Sequence, residues 1–61
     1  MNILFFEITR QKDNKRYCFD IKRLRSFEEY ENLTMIHLDT KSIIINESYQ
    51  NFVNRLSKTI N

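Results

Sequence analysis

The chain has 61 residues, with 10 Lys and Arg, 8 Asp and Glu, one His, one Cys and a net charge of +2. That length holds one domain, 1–61, and excludes a multi-domain enzyme. The single cysteine, Cys18, excludes an internal disulfide, and one His with one Cys is too few for a structural zinc cage. No metal or cofactor is therefore expected.

A domain this small hides only about 60% of the surface its unfolded chain exposes. With neither disulfide nor metal to help, a second subunit is the expected source of further burial, so a homo-oligomer is the expected state. The lone thiol suits a reducing compartment. Residues 3–6, Ile-Leu-Phe-Phe, are too short for a signal-peptide core, and no stretch approaches the ~20 apolar residues of a membrane helix. The expected location is cytoplasmic, in a bacterial or phage-infected cell. Gly and Pro are absent, where average usage would supply about seven. Asn and Ile number seven and eight. Turns that need φ > 0 are thus expected at Asn or Asp. This composition is common in AT-rich genomes, many bacteriophages among them.

Ile3 to Thr9 reads as a strand, with Leu4, Phe6 and Ile8 on one face and Ile3 and Phe5 on the other. A strand apolar on both faces is normally covered on both, which one helix cannot do, so Ile3 and Phe5 are expected at a subunit interface. Gln11 to Lys15 is a polar turn with Asp13-Asn14 at its tip. Arg16 to Asp20 returns as a strand with Tyr17 and Phe19 on one face and Cys18 on the other. Ile21, Leu24 and Phe27 are spaced by three, which suits a turn of helix or a bend before a strand over 26–31. Residues 35–39 form a fourth strand with Ile36 and Leu38 inward, and 43–46 a fifth, β-branched strand. Ile44 joins Ile3 and Phe5 as an expected interface residue. Tyr49, Phe52, Val53, Leu56 and Ile60 then trace one helical stripe over 48–60, with Ser48 or Asn46 as cap. Glu47 falls near the positive end of the helix dipole, Arg55 and Lys58 toward the negative end. The expected fold is α+β: a small antiparallel meander of four to five strands followed by one C-terminal α-helix.

The segments Phe-Asp-Ile-Lys-Arg-Leu (19–24), Thr-Met-Ile-His-Leu (34–38) and Ile-Ile-Asn-Glu-Ser-Tyr (44–49) give the chain a pattern that resembles the FlbD family, small proteins of bacterial flagellar operons. The likeness covers most of the chain and rests on apolar spacing with Thr34, Glu47 and Ser48. It departs at Asp39-Thr40-Lys41, where the family usually carries an Asn-Gly turn. It implies a fold and no catalytic residue. In length and element type the chain is also similar to the carbon-storage RNA-binding regulators, though none of their binding motif is present.

No phosphate loop, zinc-protease motif or cysteine pair is present, and an enzyme is not expected. Cys18 with His37 is the one conceivable nucleophile and base. The thiol is expected to be buried, as free cysteines commonly are, and the histidine to be solvated without an orienting partner. Glu28, Glu29 and Glu31 read as a solvated strand edge. The charge distribution says more. Between Arg10 and Arg25, seven basic residues face only Asp13 and Asp20, with Tyr17 and Phe19 among them. Arg16, Lys22, Arg23 and Arg25 are the expected clamps for phosphate, and Tyr17 the expected stacking ring. A solvated basic hairpin explains the same cluster without a ligand.

Three functions follow. The first is a homo-oligomer that sequesters an anionic ligand such as a nucleotide, as viral proteins acting against host defence signals do. The second is a nucleic-acid-binding regulator, which the modest net charge disfavours. The third is a protein-interaction module, either a flagellar-type adaptor or a phage inhibitor of a host protein.

Overall fold

A computed structural model describes residues 3–60. Five strands, β1 (Phe5–Thr9), β2 (Arg16–Asp20), β3 (Leu24–Tyr30), β4 (Leu33–Leu38) and β5 (Ser42–Ile45), precede one helix, α1 (Tyr49–Ile60). The architecture is α+β, as the periodicities predict. The strands divide between two antiparallel sheets, β1-β2 and β3-β4-β5.

The hairpin β1-β2 turns through Asn14 at φ 55°, a backbone region that Asn tolerates better than most residues. Asp13 supports the turn by accepting from the Lys15 amide. β2 ends in a 3-10 turn, Ile21–Arg23, whose first free amide, that of Lys22, is held by the Asp20 carboxylate. A bend does precede the third strand, but of the three residues spaced by three only Ile21 lies in it; Leu24 and Phe27 belong to β3, which begins at Leu24 and not at 26. β3 and β4 then meet in a two-residue hairpin turn, with Tyr30 paired to Leu33 and both Glu31 and Asn32 at positive φ. Such a turn matches the twist of the flanking strands and favours Asn-Gly. Glu31 departs from the expectation that only Asn or Asp would take this conformation, and a Cβ-bearing residue there costs about 1–2 kcal/mol. Replacing Glu31-Asn32 by Asn-Gly should therefore stabilise the fold by about 1 kcal/mol, measured as a rise in the urea midpoint at unchanged slope.

The two sheets join along a seam. Arg10 bridges Ile45, the Gln11 amide donates to the Ile44 carbonyl, and the Asn46 amide donates to the Thr9 carbonyl. Alternation then sets one core. Phe6 and Ile8 of β1 and Phe19 of β2 are buried with Ile36, Leu38, Ile43 and Ile45 of the larger sheet. Phe52 of α1 closes the core, its ring 5.5 Å from Phe6 and 5.0 Å from Phe27, both in edge-to-face geometry. Val53 and Leu56 are half-buried beside it, while Tyr49 and Ile60 at the ends of the stripe stay exposed.

The entry to α1 is built from Thr34, Glu47 and Ser48. Ser48 Oγ accepts from the Asn51 amide. The fully buried Thr34 donates its hydroxyl to the Glu47 carbonyl, tying β4 to the start of the helix. Arg55 does not serve the helix C-terminus. Side chains lean toward the N-terminus of their helix, and the Arg55 guanidinium runs back to the Glu47 carboxylate, to the Glu7 carbonyl at 2.8 Å and over the Phe6 ring.

Two burial expectations are corrected. Leu4 is exposed, although its carbonyl still accepts from the Ile21 amide at the outermost rung of the hairpin. Cys18 is also exposed, because it pairs with Glu7 on the face of the hairpin turned away from the core. Phe5 is 65% exposed and Ile3 52%, so the chain's own elements leave both uncovered, whereas Ile44 is half-buried.

Candidate functional site

The basic residues of 10–25 are distributed over several surfaces. Arg16 projects from the outer face of β2, its side chain 76% exposed and 3.9 Å from Glu7. Lys22 and Arg25 are exposed, with no ion-pair partner among the described residues. Arg25 lies where the β3-β4 register shifts, between Leu24 and Ser26. Arg10 pairs with Asp13 across the hairpin turn. That hydrogen bond holds the Asp13 carboxyl well below the usual carboxylate range and raises the Arg10 guanidinium above its ordinary value. Arg23 donates to Asp39 Oδ1 at 3.0 Å and to Thr40 Oγ1 at 3.1 Å, which fixes the 3-10 turn against the β4-β5 connection.

Tyr17 and Arg23 nevertheless border one cleft of about 260 Å³, between the end of β2 and the β4-β5 connection. Lys41 completes its basic wall, and Phe19, Leu38 and Ile43 supply an apolar floor. No carboxylate lies within ion-pair distance of Lys41 among the described residues. Its ammonium instead rests 4.9 Å from the centre of the Tyr17 ring, and the Arg10 guanidinium lies 4.8 Å from the same ring. Each contact is a cation held by the ring quadrupole. Tyr17 thus organises two cations and is not an open platform for a base. Lys41 escaped the sequence reading because it lies outside the 10–25 cluster. Only the packing of the β4-β5 turn against β2 brings it to Tyr17.

A second feature depends on register alone. His37 Nε2 lies 2.8 Å from Glu28 Oε1 and His37 Nδ1 lies 2.7 Å from Ser42 Oγ, across β3, β4 and β5. The expectation of a histidine without an orienting partner is corrected: it has an acid on one side and a hydroxyl on the other. Separations of nine and five residues mean nothing until the strands are paired, which is why the sequence does not signal this trio. The network can pass a proton. Glu28 and Ser42 are both open to solvent, however, and the water-excluded setting used by nucleophilic chemistry is not built around them. Ser42 also borders a second cleft of about 320 Å³ with Arg10, Lys12 and Lys41, so Lys41 lines two concave surfaces.

No helix among the described residues is long and apolar enough to cross a membrane. Compared with known proteins, the chain matches no family model, no curated protein and no solved structure.

Proposed function

We propose that this chain is a non-catalytic binding protein, working as an assembly of like copies, that holds an anionic ligand of the nucleotide class at the Tyr17–Arg23–Lys41 cleft. The observation that carries the reading is the position of Lys41: a cation without a carboxylate partner among the described residues, on the wall of a concave site that already contains Arg23 and an apolar floor. A phosphate entering there would gain a charge-assisted contact from Lys41 without breaking an existing ion pair. Arg23 contributes field and shape, since its guanidinium is already engaged by Asp39 and Thr40. Sequestration of a nucleotide in an infected cell is the biological role this chemistry suits.

Native mass spectrometry of the protein from its expression host, followed by titration with adenine and guanine nucleotides, tests the reading. The wild type should bind, and Lys41→Ala should weaken binding by about ten- to a hundredfold, the worth of one charge-assisted hydrogen bond. If no nucleotide binds the wild type, the reading fails. A protein partner is the second reading, favoured by the exposed run Ile3, Leu4 and Phe5, since contiguous apolar surface marks interaction sites.

A further inference from the structure

The two sheets end in open edges of opposite character. β3 carries the acidic Glu28 and Glu29, with Glu31 just beyond, all exposed. Like charges along an edge repel a second copy of the same strand. β2 differs. The hairpin register pairs Phe6 with Phe19 and Ile8 with Tyr17, and the Arg10 amide donates to the Lys15 carbonyl. In an antiparallel ladder this alternation turns the amides and carbonyls of Arg16, Cys18 and Asp20 away from β1. Apart from β1, no strand pairs with β2 among the described residues. The edge runs Arg-Tyr-Cys-Phe-Asp, cationic at one end and anionic at the other.

Resting on the reading of an assembly of like copies, we infer that the open edge of β2 pairs antiparallel with β2 of a second copy, in the register that sets Cys18 opposite Cys18. A twofold axis at that point places Arg16 opposite the second copy's Asp20, and Asp20 opposite its Arg16, so the charge pattern is complementary to itself. The six outward backbone groups of each edge all gain partners, and opposite charges directly across a ladder add further attraction. The pairing also carries functional geometry. Tyr17 and Phe19 line the Lys41 cleft and lie on β2 itself, so joining the two edges sets two clefts of about 260 Å³ side by side across the axis. The same segment of the second copy then forms a wall of the site.

Sedimentation velocity over a wide concentration range, on the full chain, tests this. The wild type should be dimeric. Arg16→Asp faces the second copy's Asp20 with a like charge at two symmetric places and should weaken dimerisation by about a hundredfold. The double variant Arg16→Asp, Asp20→Arg restores opposite charges and should restore the dimer. Because Asp20 also caps the 3-10 turn, circular dichroism is recorded for each variant. A short bismaleimide should in addition link wild-type chains through Cys18, a readout that needs no variant to fold. A dimer that ignores Arg16→Asp and is not linked through Cys18 overturns the edge pairing and leaves the assembly to the Ile3–Phe5 surface. A monomer at every concentration overturns both.

Discussion

Phe52→Ala should take away about a third or more of the chain's stability to unfolding. Phe52 is fully buried, and its ring touches both sheets, through Phe6 and Phe27. Removing a buried aromatic costs about 3–5 kcal/mol, part of it lost transfer energy and part the unfilled cavity. A domain of this length has a total stability of roughly 3–9 kcal/mol. The loss therefore matches the lower half of what the fold holds. Phe52→Leu, which keeps most of the volume, should cost only about 1–2 kcal/mol. Urea titration followed by far-ultraviolet circular dichroism separates the two. A wild-type midpoint for Phe52→Ala would mean that the helix is not the closing element of the core.

The second large effect lies at the Glu47–Arg55 pair. The Glu47 side chain is 14% exposed, and its carboxylate accepts from the Arg55 guanidinium through both oxygens and from Asn51 Nδ2 at 2.6 Å. Arg55→Met keeps an apolar stem over Phe6 but leaves a largely buried carboxylate without its cation and the Glu7 carbonyl without its donor. The expected cost is about 2–4 kcal/mol. Glu47→Gln keeps the shape and exchanges a charged for a neutral acceptor, so it should cost about half as much. The double variant Glu47→Met, Arg55→Met should be more stable than the sum of the single losses, because it removes both charges together. Strict additivity in that cycle would show that the two residues act independently.

Much of this fold was legible from the order of residues. Alternation located the five strands, and the stripe through Phe52 and Leu56 located α1. What escaped has one physical source, which is that alternation assigns a residue to a face but does not say whether anything covers that face. Leu4 shares the parity of Phe6 but sits at the outermost rung of the hairpin and is exposed. Cys18 takes the face opposite Tyr17 and Phe19 as expected, yet its residue type implied burial. The division into two sheets depends on the 3-10 turn and on the seam, neither of which leaves a periodic mark. The candidate site was legible in part. Tyr17 and Arg23 share the cleft, whereas Arg16, Lys22 and Arg25 point elsewhere, since residues that cluster along a hairpin and a turn are directed apart by the backbone. Lys41 and the Glu28–His37–Ser42 network were invisible, because each is assembled from strands that are distant in the chain.

The seam between Arg10 and Ile45 also bears on how the molecule reaches this state. Both sheets are built of hairpins whose partners are neighbours along the chain, so each forms by closing short loops. The seam closes a loop of more than half the chain. The entropy of loop closure must be met before non-local contacts repay it, which makes such contacts late events. Closure of the seam is therefore expected to come after the hairpins on either side of it, and the Gln11 and Asn46 amides, bonded across that junction, should gain protection from hydrogen exchange last.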